Sequence, residues 1–229
     1  GRNAATGQGA FYVFQTYADA LFQGVASSEI RVAVQGFGNA GQAIARLFYA
    51  AGYRVVAVSD SQGGVYAEAG LDVRALIHHK RDTGSVQGFA GTQSISQEEL
   101  LTCNCHVLAP SALENQLTEA IAPRIQAKLV LELANGPTTA EGEKILAERG
   151  VLVVPDVLAN SGGVTVSYFE WLQNKEQAHW IETDVLERLQ GIMQDASKAV
   201  QDMAKKKNCT QREAAFLVAI ERIAAKMSS

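Results

Sequence analysis

Cysteine is scarce in this chain: three residues, Cys103, Cys105 and Cys209, among 229. An odd number without a repeated spacing excludes a disulfide framework and points to reduced thiols in a cytoplasmic setting. Cys103-Asn104-Cys105 beside His106 raises the question of a metal. However, Cys105 and His106 run directly into Val107-Leu108-Ala109, which reads as strand entry, and a structural metal wants four well-spaced ligands. The reading is no metal. No stretch approaches the ~18 uninterrupted apolar residues of a membrane span, and no cleavable leader is visible. A net charge of −4 offers little attraction to nucleic acid or an anionic membrane. Internal repeats, low-complexity tracts and Pro/Gly/Ser linkers are also missing. The chain opens at Gly1 without a methionine, and Phe11-Tyr12-Val13-Phe14 already has the look of structure, so the sequence is expected to be part of a longer protein.

What is present is an ordinary globular balance, 47% apolar and 19% charged, large enough to build a core without staples. Short apolar runs alternate with helical patterns. Strands are expected at 30–35, 54–59, 106–109, 128–133 and 151–154, nearly continuous in apolar residues as strands covered on both faces should be. Helices are expected at 9–22 and 40–51. A long amphipathic one is expected at 182–207, with Val185, Leu189, Ile192, Ala196, Val200 and Met203 on its stripe. Capping-box patterns at Ser96-Gln97-Glu98-Glu99, Thr138-Thr139-Ala140-Glu141 and Thr210-Gln211-Arg212-Glu213 mark further helix starts. His78 and His79, followed by Lys80-Arg81-Asp82, read as a surface helix rather than as catalysts. The alternation predicts an α/β fold: a Rossmann-type, doubly wound, mainly parallel sheet with flanking helices and a helical C-terminal region. One dinucleotide-binding domain would span 1–229, with its core at about 24–180.

The most specific local signal is Gly36-Phe37-Gly38-Asn39-Ala40-Gly41, set between the strand Arg31-Val32-Ala33-Val34-Gln35 and a helix. In that context Gly36 permits a tight turn, Gly38 lets backbone approach a pyrophosphate, and Gly41 permits close helix–strand packing. The anion would rest on the helix N-terminus. Asp60 closes the second strand, 24 positions after Gly36, where a carboxylate can accept ribose hydroxyls. The ligand is therefore NAD or NADP. Asp60 alone repels a 2′-phosphate and tilts the reading toward NAD. Ser59, Ser61, Gly63-Gly64 and Arg81 leave NADP open.

Beyond this fingerprint, four further segments resemble the cofactor-binding half of the glutamate dehydrogenases, in the glutamate/leucine/phenylalanine/valine dehydrogenase superfamily. They are Gly1-Arg2-Asn3-Ala4-Ala5-Thr6-Gly7, Leu108-Ala109-Pro110-Ser111-Ala112, Ala134-Asn135-Gly136-Pro137, and Asn160 through Trp171. The resemblance covers essentially the whole chain. It implies that Arg2 and Thr6 lie beside the nicotinamide, with a helix cap as the bland alternative for Thr6. Ala109, Pro110 and Ala112 would line the crevice at a strand end. Asn135 would lie near the nicotinamide ribose, with a turn before Pro137 as its alternative, and Asn160 beside the nicotinamide. Val164 and Ser167, three apart on one helical face, would close the substrate pocket, the Ser167 hydroxyl suiting the side-chain carboxylate of glutamate. Tyr168, Phe169 and Trp171 read as core.

The resemblance further implies a cytoplasmic, homo-hexameric enzyme that interconverts glutamate with 2-oxoglutarate and ammonium. It also implies that catalysis needs a lysine-bearing, glycine-rich segment and an aspartate in a preceding substrate domain. Neither occurs here, so no catalytic residue is assigned to this chain, which is expected to bind coenzyme without turning over. Residues 1–23 and 181–229 would join that other domain. The alternatives are a non-catalytic dinucleotide-binding module, or an enzyme for leucine, phenylalanine or valine. Ser167 argues against the latter, whose pocket calls for an apolar wall.

Overall fold

Period-two burial along the strands sets the architecture. In β1 (Arg31–Gln35), Val32 and Val34 join one buried cluster and Ala33 the other. β5 (Val107–Pro110) and β6 (Leu129–Leu131) divide their side chains in the same way. A sheet apolar on both faces needs a layer of helices on each. The computed structural model, which describes residues 2–227 apart from the side chains of residues 2 and 3, has that arrangement. Seven strands lie in the order β4-β3-β2-β1-β5-β6-β7. β2 (Arg54–Asp60), β1, β5, β6 and β7 (Leu152–Val154) are mutually parallel. β3 (Gly63–Tyr66) and β4 (Gln93–Ile95) add an antiparallel edge. The fold is α/β and doubly wound, as expected.

On one face lie α1 (Arg2–Leu21), α2 (Asn39–Ala50) and α3 (Val73–Thr83), with α7 (Gly162–Glu176), α8 (Glu182–Lys207) and α9 (Gln211–Met227). On the other lie α4 (Gln97–Leu101) and α5 (Ala140–Glu148). The single-turn α6 (Asp156–Ala159) follows β7. α1 is locked onto α2 by aromatic edges: the Phe14 ring stands against Phe48 at 4.8 Å and 76° and against Tyr53 at 5.3 Å. It also crosses α7 so closely that a Cβ built on Gly9 would lie 2.7 Å from the Gly162 Cα.

Several expectations shift in detail. The first helix begins well before residue 9, so Thr6 sits inside α1 and does not cap it. On α8, Met193 rather than Ile192 faces the core, because Ile192 is 45% exposed. α5 is capped one residue later than expected: Thr139, not Thr138, accepts the Gly142 amide at 3.1 Å. The boxes at Ser96 and Thr210 form as expected. At the entry to β5, Cys105 is buried and His106 Nδ1 accepts the Arg31 amide at 2.9 Å. Tyr168 and Trp171 are not core. Each is 52% exposed and the two rings stack at 5.8 Å, while Phe169 alone is buried. Among the described residues no helix is long and apolar enough to cross a membrane.

Candidate functional site

Each glycine of the turn between β1 and α2 has a distinct physical reason. Gly36 has φ +89°, in the left-handed region, and a Cβ on it would strike that of Ala112 at 2.6 Å. A Cβ on Gly41 would fall 1.7 Å from the Gly36 carbonyl oxygen, so packing of helix on strand excludes any side chain there. Gly38 differs from both. Its φ of −82° is open to any residue, it is exposed, and nothing lies within 4 Å of a built Cβ. Neither backbone strain nor protein packing calls for glycine at that point. The space it leaves opens toward the first turn of α2, which has no side-chain cap and no acidic residue. By contrast, α4 and α5 both carry a hydroxyl cap and two glutamates in that turn. An uncapped, acid-free N-terminus beside a bare glycine suits an anion.

This turn forms the floor of a cavity of about 590 Å³. The cavity lies at the carboxyl ends of β1, β2 and β5, where the chain reverses its direction of travel across the sheet, the place where open α/β sheets hold ligands. Gly36, Phe37, Gly38, Asp60, Ser61 and Ala112 all border it. Phe37 is fully buried. Asn39 and Ala40 continue from the turn into α2. Ala109 points into the core, and the Pro110 carbonyl accepts the amides of Leu133 and Ala134 at 3.0 and 2.9 Å.

Asp60 is turned inward. Its Oδ1 accepts the Gln62 amide at 2.9 Å and the Ser85 hydroxyl at 3.4 Å; its Oδ2 accepts the Val86 amide at 2.8 Å and Lys80 Nζ at 2.9 Å. Burial pushes this carboxyl up. The Gln62 amide, the Lys80 ammonium and the Val86 amide outweigh that and hold it below the usual aspartate value. Lys80, paired with that carboxylate, also borders the cavity. Arg81 does not border it, being exposed and paired with Asp82 at 2.8 Å.

The far carboxyl edge of the sheet carries the second group of sequence-predicted residues. Asn160 caps the end of α6 and donates from Nδ2 to Asn135 Oδ1 at 2.8 Å and to the Leu133 carbonyl at 3.3 Å. The two asparagines are thus one unit. Thr6 faces the start of α7, where a Cβ on Gly163 would lie 2.7 Å from its hydroxyl. Val164 is 68% exposed; Ser167 is half-buried and donates to the Gly163 carbonyl at 3.1 Å. The Arg2 side chain lies outside the described residues.

Comparison with known proteins places this geometry in context. The family model for Glutamate/Leucine/Phenylalanine/Valine dehydrogenase matches residues 1–229. The chain belongs to this dehydrogenase family. It is 42% identical to the NADP-specific glutamate dehydrogenase of Synechocystis, covering 100% of this chain and 55% of that one. It is 43% identical to a catabolic NAD-specific glutamate dehydrogenase of Bacillus subtilis, covering 98% and 52%. Among solved structures it is similar to the hetero-hexameric glutamate dehydrogenase of Thermus thermophilus, with a TM-score of 0.89 and 36% identity over 97% of this chain and 52% of that one. The chain therefore spans about half the length of these family members.

Lys80, Gln97, Ser111 and Gln116 line the crevice of this dehydrogenase chain without having been singled out from sequence. Gln97 accepts the Ser59 hydroxyl at 2.8 Å and donates to the Asp60 carbonyl, tying α4 to the end of β2. Gln35 donates to Gln116 at 2.7 Å, and its own Oε1 is buried without a partner. A basic pair on α3 was visible in the sequence, but helical phase decides which member turns inward, and it is Lys80.

Proposed function

We propose that this chain is the coenzyme-binding half of a glutamate dehydrogenase, acting in the reversible NAD(P)-dependent oxidative deamination of glutamate to 2-oxoglutarate and ammonium. The observation that carries the reading is Gly38, an exposed glycine in ordinary backbone geometry whose missing side chain leaves room that no protein atom uses. A pyrophosphate fits there, against the first-turn amides of α2. When bound, the nicotinamide ring would supply hydride acceptance and donation. The chain's own work is to hold and orient the dinucleotide along the carboxyl edge. Asn135, Asn160 and Thr6 would lie toward the nicotinamide end, while Val164 and Ser167 would face glutamate. To donate to a substrate carboxylate, the Ser167 hydroxyl has to rotate away from the Gly163 carbonyl.

Both coenzymes are accommodated in this reading. Asp60 is paired with Lys80, whose ammonium offsets the carboxylate charge that would otherwise repel a 2′-phosphate, and Ser61 borders the same cavity. With relatives that carry either specificity in their names, NAD and NADP are both expected to bind. The residues that promote the chemistry would come from a separate substrate domain, and the full protein would assemble as a cytoplasmic homo-hexamer.

Calorimetric titration of the 229-residue chain with NAD⁺ and NADP⁺ tests the reading. One site is expected for each. Gly38→Val should abolish the heat while lowering stability by no more than about 1 kcal/mol, the scale of an N-cap change. Undiminished binding by the valine variant would remove the basis of the assignment.

A further inference from the structure

The first turn of α9 carries a guanidinium that three carboxylates share. Arg212 Nη2 meets both oxygens of Glu132 at 2.9 and 2.8 Å; Nη1 meets Asp156 at 3.0 Å and Nε meets Glu143 at 2.6 Å. Glu132 is completely buried and lies just beyond β6, while Asp156 opens α6 just beyond β7. One side chain thus joins the carboxyl ends of two strands. The junction is closed a second time, because the Asp156 amide donates to Glu132 Oε2 at 2.8 Å. Asp156 also reaches forward, its Oδ2 accepting the Gly136 amide at 2.8 Å.

What this arrangement holds in place is the asparagine pair. Asn135 lies between Glu132 and Gly136, both fixed by the cluster, and its partner Asn160 closes the short helix that Asp156 opens. A buried ionic group of this kind is a poor source of stability compared with apolar packing. Its geometric effect is more specific, since a planar fork with several donors fixes directions as well as distances. In a doubly wound sheet one mononucleotide half lies on each side of the switch point. The glycine turn serves the side of β1 and β2. The strands beyond β5 carry Asn135 and Asn160.

We propose that Arg212 is a positioning residue for the nicotinamide half of the coenzyme, acting through Asp156 and Gly136 on the Asn135–Asn160 pair without touching the nucleotide. The proposal rests on the reading above that a nicotinamide dinucleotide binds along this edge.

The test compares NADH with ADP, which reports on the glycine turn alone, by calorimetry on the 229-residue chain. The unaltered chain should bind NADH more tightly than ADP. Arg212→Lys, which keeps a charge but not the fork, should leave ADP affinity within about twofold. It should cut the NADH advantage about tenfold, the equivalent of one lost charge-assisted hydrogen bond. Asp156→Asn keeps Arg212 on Glu132, so no buried charge is stranded, and should produce the same selective loss if the lysine variant folds poorly. Parallel weakening of both ligands would reduce the cluster to a general structural role and overturn the proposal. So would an unchanged NADH advantage in either folded variant, or no advantage in the unaltered chain. If the unaltered chain bound neither ligand, the dinucleotide reading itself would fall, and this inference with it.

Discussion

The carboxylate of Asp60 is occupied by the protein itself, with donors from Gln62, Lys80, Ser85 and Val86. Its position at the end of the second strand was legible in the sequence because it depends only on counting from the glycine turn. Its partners were not, since residues 80–86 come to it through tertiary folding. A pH dependence follows. Because the native carboxyl is held below its usual value, the group contributes stability that is present above about pH 3.9 and is lost as pH falls through the lower native value. Lys80→Met removes the ammonium from a pair whose side chains are 21% and 4% exposed. It should cost about 1–3 kcal/mol at neutral pH, as hydrogen bonds to charged groups do. The acid-side loss should also move to higher pH. Thermal melts between about pH 3 and 7 measure both effects, and an acid limb coincident with that of the unaltered chain would contradict this account.

Elements with strong periodicity or explicit start signals were readable, and weak ones were not. α8 runs from Glu182 to Lys207, as its apolar spacing and last-turn lysines indicate. The choice between Ile192 and Met193 turns on a rotation of one residue, which depends on what α1 and α7 present. The antiparallel strands β3 and β4 were missed because Gly63–Tyr66 and Gln93–Ile95 are short and carry little apolar pattern. The crossing of α1 and α7 was likewise invisible, because its cause is a pair of glycines 153 positions apart, Gly9 and Gly162. A Cβ on Gly162 would lie 2.4 Å from the Ala5 carbonyl oxygen and 2.9 Å from the Gly9 Cα, both main-chain atoms that cannot swing aside. Gly162→Ala should therefore destabilise by about 1–3 kcal/mol, the range for overpacking, read as a lowered melting temperature. A melt matching the unaltered chain would mean that the helices can part freely.

At the scale of the whole molecule, the residues of the glycine turn and Asp60, which border one cavity, were legible in the sequence, and the tertiary neighbours that complete the cavity were not. The glycine turn is local, built from six consecutive residues, whereas Thr6, Asn135, Asn160 and Ser167 come from four separate stretches of the chain. The exposed residues Val164, Tyr168 and Trp171 on α7, and Phe216, Ile220 and Ile223 on α9, form apolar stripes with the spacing of one helical face. The chain alone should bind coenzyme yet show no glutamate-dependent reduction of NAD⁺ or NADP⁺ above background in a 340 nm absorbance assay; robust turnover would refute the division of labour proposed above. One more consequence follows from how the cavity beside the glycine turn is walled. Ser61 sits in the hairpin after β2, Lys80 on α3, Gln97 on α4 and Ala112 beyond β5, so no contiguous stretch of chain can form it. A partly assembled chain lacks the receptor altogether, and a nucleotide in solution would draw the population toward the finished state by mass action, making its occupancy a gauge of how far assembly has gone.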